Sequence, residues 1–198
     1  MKVVIIKYNA GNIRSVDYAL KRLGIEANIT SDFEEILSAD KVIFPGVGEA
    51  ANTMRFLKNN KLDRLIVNLK QPVLGICLGL QLMCKFSEEG NTQCLGIFDE
   101  QVKHFDASMI QEHVKIPHMG WNKITNLKIG IFDNSLENEY VYFVHSYYAA
   151  LGEHTAASTQ YIVPFSAALQ KDNFYATQFH PEKSGDVGAR IIKNFLDL

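Results

Sequence analysis

Three side chains have both the chemistry and the setting for covalent catalysis: Cys77, His180 and Glu182. Cys77 lies between two glycines in Gly75-Ile76-Cys77-Leu78-Gly79-Leu80-Gln81, directly after the apolar run Val73–Ile76. A buried strand that passes through one sharp turn into a helix makes a nucleophile elbow, and the positions two before and two after the nucleophile must be small to let neighbouring backbone pass. At a helix N-terminus the sulfur meets the positive end of the helix dipole, which favours the thiolate. The backbone N–H of Leu78, without an intrahelical partner, can then donate to an oxyanion. A buried structural cysteine beside turn glycines is the plainer alternative, but at a glycine frequency of about 7% both flanks arise by chance at roughly one cysteine in two hundred. Cys84, seven residues along the same helical face, and Cys94 lack this setting and are expected to be structural.

A cysteine nucleophile needs a base, and the chain offers His104, His113, His118, His145, His154 and His180. His180 follows the apolar run Tyr175–Phe179, and Glu182 comes two residues later, on the same side of an extended segment. Pro181 between them fixes φ, so Glu182 is placed to orient the imidazole. His145 also ends a strand-like run, Tyr140–Val144, but has no adjacent acid. The residues favour His180 without excluding His145. Pro45-Gly46-Val47-Gly48 follows a buried run and either supplies a second oxyanion donor or is a plain turn. Glu88-Glu89-Gly90 reads as a solvated acidic turn or as a carboxylate for a substrate ammonium, and Met119 and Trp121 as core side chains or exposed anchors.

The elements that must position these groups follow from periodicity. Val3–Ile6, Ile25–Ile29, Val42–Phe44 and Val73–Ile76 read as short strands alternating with helices, the pattern of a largely parallel sheet. Asn12 is placed to cap a helix with Ile13, Val16, Leu20 and Leu23 on its apolar face and Gly24 as its stop. Ser31 or Asp32 caps a short helix through Leu37, another helix spans about Glu49–Leu57, and the helix after Cys77 is expected to run through about Phe86. Shorter strands are expected near Val102, Val114, Ile124, Val141–Val144, Ala167–Leu169 and Phe174–Phe179, partly antiparallel, before a closing helix over Val187–Leu196.

The chain has 198 residues, 47% hydrophobic and 21% charged, with a formal net charge of −2. That length fits one domain with a substantial core, and the charge balance points away from nucleic acid or a membrane surface as the main partner. The apolar run at Val3–Ile6 is far too short for a secretory core or a membrane span, and three cysteines do not suggest a disulfide framework, so a cytoplasmic protein is expected. With no phosphate-loop GK[ST] and no His-x-x-x-His pair, neither a cofactor nor a metal ion is expected.

Pro45-Gly46-Val47-Gly48, the Cys77 block and His180-Pro181-Glu182-Lys183 together resemble, in order and spacing, the class I (triad) glutamine amidotransferases. The resemblance implies a flavodoxin-like α/β fold over residues 1–198, a mostly parallel central sheet with extra antiparallel strands in the second half. It also implies a Cys77–His180–Glu182 triad carrying a γ-glutamyl thioester on Cys77, and so selects His180 over His145. Oxyanion donors would come from Val47, Gly48 and Leu78, and glutamine would be held by Gly46, Gln81, Glu89 and the backbone of His145, Ser146 and Tyr147. Within the family, Tyr8, Ala10–Val16 and Pro117-His118-Met119-Gly120-Trp121-Asn122 are similar to the glutaminase subunits of imidazole glycerol phosphate synthase, in histidine biosynthesis. That similarity implies a (β/α)8 cyclase partner that receives ammonia, with Asn12, Met119, Trp121 and Lys183 facing it. Lys7 and Asn9 depart from the aspartate and glycine common there, and they leave room for a paralogue serving surface-sugar amidation.

Overall fold

The structure is a computed structural model that describes residues 1–8, 12–106, 108 and 114–198. Asn9, Ala10, Gly11 and His113 therefore lie outside the described residues. The first half alternates strand and helix: β1 (Val3–Ile6), α1 (Ile13–Arg22), β2 (Ala27–Thr30), α2 (Phe33–Leu37), β3 (Lys41–Gly46), α3 (Ala50–Asn59), α4 (Leu62–Val67), β4 (Val73–Cys77) and α5 (Leu78–Met83). The second half is mostly strand: β5 (Phe86–Ser87), β6 (Thr92–Gln93), β7 (Gln101–His104), β8 (His118–Lys123), β9 (Tyr140–His145), β10 (Tyr147–Ala149), β11 (Thr155–Gln160), β12 (Pro164–Lys171) and β13 (Phe174–Thr177), closed by α6 (Gly185–Leu196).

The main sheet has seven strands in the order β11-β12-β13-β4-β3-β1-β2. Neighbours from β13 to β2 are parallel, whereas β11, β12 and β13 pair antiparallel. β1, β3 and β4 are buried at every residue because both faces are covered, which is why they read as unbroken apolar runs. Val3 and Ile5 pack on one face with Val16 and Leu20 of α1 and Ile191 and Phe195 of α6. Val4 and Ile6 pack on the other with Ile36, Met54, Leu57 and Ile66. A four-stranded sheet, β10-β7-β5-β6, and the antiparallel β8–β9 pair stand beside the C-terminal ends of the parallel strands.

Several expectations need correcting. The helix after Cys77 stops at Met83, not near Phe86: Cys84 is extended (φ −67°, ψ 174°). The Met83 carbonyl accepts from the N–H of Ile97 and Phe98, and that of Cys84 from Gly96, so these carbonyls serve a loop instead of a further helical turn. Phe86 begins a strand. Ile124 lies just beyond β8, and Val114 belongs to no strand. Helix α4 and strand β11 were not anticipated; β11 carries Thr155, Ser158 and Thr159, polar side chains bonded across to Ser166, Thr125 and Lys123, so its burial is not written as an apolar run. No helix among the described residues is long and apolar enough to cross a membrane.

Candidate active site

β4 delivers Cys77 to the C-terminal edge of the parallel sheet and turns at once into α5. The turn puts Cys77 at φ 53°, ψ −105°, a conformation that costs a non-glycine residue free energy and persists only where packing imposes it. The imposed packing is visible at both flanking glycines. A Cβ on Gly75 would lie 2.9 Å from Met83 Sδ and 3.1 Å from the carbonyl carbon of Gly79, and a Cβ on Gly79 would run into the carbonyl oxygen of Phe44. Gly46, in register with Cys77 on the neighbouring β3, is equally confined, with Tyr8 and Leu78 where its side chain would go. Tyr8 donates its hydroxyl to the Pro45 carbonyl, and burial, with the nearby Cys77, pushes the phenol well up so that it stays a donor.

His180 and Glu182 come from the tight turn Pro181–Lys183 that links β13 to α6. His180 Nδ1 is 2.8 Å from Glu182 Oε1, and the pair is buried. The same carboxylate oxygen accepts from Asn12 Nδ2. Asn12, anticipated at a partner face and as a helix cap, is 6% exposed and makes no side-chain cap bond; its amide is committed to Glu182. A backbone bond from His180 N to Tyr142 O (2.9 Å) and one from the Ser184 hydroxyl Oγ to His180 O (2.7 Å) fix the turn. The buried Nε2 makes no hydrogen bond of standard geometry among the described residues. Cys77 is nevertheless close enough to act on the ring: burial disfavours the imidazolium, but Cys77 and Glu182 together outweigh it and hold His180 up to about 10. These neighbours favour the imidazolium over the neutral ring.

His145, the competing base, is in the opposite state. Its Nδ1 bonds the Tyr147 carbonyl at 2.7 Å and its Nε2 bonds His118 Nδ1 at 3.1 Å, so both nitrogens are engaged. Burial pushes it down to about 3, assisted by His118 and His180 and only partly opposed by the bond to Tyr147. It is a neutral structural imidazole.

Cys77 and His180 open onto a cavity of about 320 Å³. Val47 and Gly48 line one side, Leu78 and Gln81 the base of α5, and Val144, His145, Ser146 and Tyr147 the opposite wall. Glu89 and Lys183 stand at the rim; Lys183, expected to face a partner, also lines the cavity. Glu89 accepts from Ala50 N at 2.7 Å, and burial raises its carboxyl above the usual range despite that bond. Gly46 and Glu182 sit behind the lining, Gly46 under the elbow and Glu182 behind the imidazole. Met119 and Trp121 are 63% and 55% exposed on β8, so the core reading of both is corrected. Two residues at the site went unremarked in the sequence. Val144 lines the wall, and Gln178, fully buried, has Nε2 3.7 Å from the Cys77 sulfur. Gln178 stands two residues before His180, the same spacing that revealed Glu182, and that period was the available signal.

An elbow cysteine on a parallel sheet, faced by a buried His–Glu pair, is the arrangement of a class-I glutamine amidotransferase, and the family model Glutamine amidotransferase class-I matches residues 4–198. The chain belongs to that family. Among its relatives, the imidazole glycerol phosphate synthase subunit HisH of Bacteroides fragilis is 68% identical over 198 residues, 100% of both chains. The protein of that name from Haemophilus influenzae is 44% identical over 100% of this chain and 98% of its own. Among solved structures, a glutamine amidotransferase superposes with a TM-score of 0.73 at 20% identity, covering 98% of this chain and 97% of that one. PurLQS from Thermotoga maritima gives 0.71 at 15% identity, covering 99% and 97%. At those identities the structural likeness speaks for the fold.

Proposed function

We propose that this chain is the glutaminase subunit of an imidazole glycerol phosphate synthase, one domain that releases ammonia from glutamine for a cyclase subunit of histidine biosynthesis. The observation that carries the reaction is the convergence of the elbow Cys77, the N–H groups at the start of α5 and His180, backed by Glu182, on one cavity. The identity to HisH proteins over the full chain supports the assignment to this synthase.

In the proposed reaction the Cys77 thiolate attacks the carboxamide carbon of glutamine, and the carbonyl π pair moves onto oxygen beside the N–H of Leu78 and the Val47–Gly48 backbone. When the C–N bond breaks, nitrogen keeps the electron pair and takes the proton from His180, leaving as ammonia. The neutral His180, oriented by Glu182, then takes a proton from water as its oxygen attacks the thioester; the C–S bond breaks and the pair returns to sulfur. Glu89 and Lys183 carry the charges that suit the α-ammonium and α-carboxylate of the substrate, and Gln81 and the junction of β9 and β10 at 145–147 hold its length.

The partner in this reading is a (β/α)8 cyclase docked on the exposed Met119 and Trp121, receiving ammonia inside the complex and away from bulk water. Its ribotide ligand would bias the Pro45–Gly48 strand toward the conformation that completes the oxyanion site, which requires the ligand to prefer that state. The test supplies Cys77→Ala together with cyclase and ribotide, with either glutamine or ammonium salt at raised pH. Product from ammonia alone is expected. Full glutamine hydrolysis by the isolated wild-type chain, unaffected by the cyclase, would favour a stand-alone hydrolase instead.

A further inference from the structure

The carbonyl oxygen of Tyr147 accepts two hydrogen bonds, from His145 Nδ1 at 2.7 Å and from Gln81 Nε2 at 2.9 Å. A carbonyl can only accept, so this one atom sets the direction of both chains that leave it. On one side the proton of His145 sits on Nδ1, its Nε2 is an acceptor, and His118 Nδ1 must donate to it at 3.1 Å. His118 Nε2 is then an acceptor facing Asn122 Nδ2 at 3.4 Å.

On the other side the amide of Gln81 must present its nitrogen to Tyr147. That nitrogen also lies 3.0 Å from the Gln178 amide, which must therefore turn its oxygen toward Gln81. The NH₂ group of Gln178 is left pointing at Cys77, with Nε2 3.7 Å from Sγ. Gln178 is fully buried, with Gln81 and Cys77 as its side-chain partners, so water does not compete for this donor.

We propose that Gln178 is a further catalytic residue, donating a hydrogen bond to the Cys77 sulfur and held in that orientation by Gln81 and the Tyr147 carbonyl. The inference rests on Cys77 being the nucleophile. A donor on sulfur stabilises the thiolate before attack, yields as the sulfur pair forms the C–S bond, and returns when that pair comes back to sulfur as the thioester breaks. Gln81 thus holds a donor in place through its nitrogen while its own oxygen is free of that task.

The experiment is the pH profile of Cys77 alkylation by iodoacetamide, read by peptide mapping in the full-length chain without glutamine. His180, Tyr8, Glu89, Lys183 and His145, the other titratable groups around the sulfur, are retained in every variant. In Gln178→Met, which keeps the volume and removes the donor, the midpoint of the profile should rise by about one pH unit, a tenfold loss of thiolate below it. Above the midpoint the rate should rise about threefold, because a more basic thiolate is the better nucleophile. Opposite movement at the two ends is not produced by loosened packing. Gln178→Glu, which keeps the acceptor toward Gln81 and sets a carboxylate beside the sulfur, should raise the midpoint further.

A measurement on the native side chain covers the case in which either variant fails to fold. The Gln178 side-chain amide resonance in ¹⁵N-labelled protein should move on Cys77→Ala, while that of Asn173, bonded to Leu69 and Gln71, stays in place. Profiles that overlay on the wild type, or an unmoved Gln178 resonance, overturn the proposal and leave the glutaminase reading intact. Absence of both Cys77 alkylation and glutamine hydrolysis would sink that reading separately.

Discussion

The carbonyl oxygen of Phe44 in β3 occupies the space that a side chain on Gly79 in α5 would need. The contact locks the first turn of the helix against the neighbouring strand and so holds Cys77 in its positive-φ conformation. Gly79→Ala is expected to cost about 2–3 kcal/mol through overpacking against backbone that cannot give way. It should also lower glutamine hydrolysis by about a hundredfold, since small displacements of a reacting group cost that much. Gly96→Ala is the comparison: φ is +69°, yet nothing lies within 4 Å of the added Cβ, so about 1 kcal/mol of strain is expected with activity kept. Denaturant unfolding and initial rates of the two variants, side by side, check both numbers; equal costs would remove the steric account.

The three thiols should separate cleanly. Burial pushes Cys84 well above the ordinary range, and pushes Cys94 up to about 12. Both are therefore held toward the thiol form, whereas Cys77 faces the cavity and His180. At neutral pH an electrophilic glutamine analogue should modify one thiol in the native protein, and a general alkylating agent should modify all three after denaturation. Peptide mapping reads the site. Modification of Cys84 or Cys94 in the folded state would contradict the assignment.

The roles of the imidazoles lead to a comparison at saturating glutamine with the cyclase present. His180→Asn should lower kcat by about a thousandfold, because it removes the group that moves protons at both steps. Glu182→Gln should be milder, about tenfold to a hundredfold, since the bonds from His180 N to Tyr142 O and from Ser184 Oγ to His180 O still hold the buried turn. His145→Asn should leave the chemistry in place and act mainly through the position of Tyr147, with KM moving more than kcat. A His145→Asn loss that matched His180→Asn would mean that the base has been misassigned.

Much of this site could be read from the sequence because it depends on local rules. The elbow is written in seven consecutive residues, and His180-Pro181-Glu182 places its own acid, so Cys77, His180 and Glu182 were legible as chemistry before any fold was known. Strands β1, β3 and β4 were legible for the same reason, being short apolar runs set apart by helix signals such as the cap Asp32, which bonds the N–H three residues on. What escaped depends on partners distant in the chain. Asn12 reaches Glu182 across 170 residues, and Gln81 and Gln178 meet across 97. Helix α5 ends early because a loop at 96–98 takes its carbonyls. No local period encodes such contacts.

The buried pair His118 and His145 should make the protein sensitive to mild acid. The two rings are bonded to each other at 3.1 Å with one shared proton between nitrogens, an arrangement that works only while both are neutral. Burial pushes His118 down from 6.5 to about 4 and His145 from 6.5 to about 3. Between those values and 6.5 the unfolded chain binds protons that the folded chain refuses. The stability tied to the neutral pair is therefore fully present above about pH 6.5 and is lost as pH falls toward 4 and then 3. Urea midpoints across this window should give a proton uptake on unfolding that exceeds that of His118→Gln/His145→Gln, with the difference approaching two protons. Glu89, whose carboxyl is raised by burial, contributes a slope of the opposite sign, but it is common to both proteins and cancels in the difference. Equal proton uptake in the wild type and the double variant would show that the pair does not stay neutral in the folded state, and the donor directions assigned around Tyr147 would then have to be redrawn.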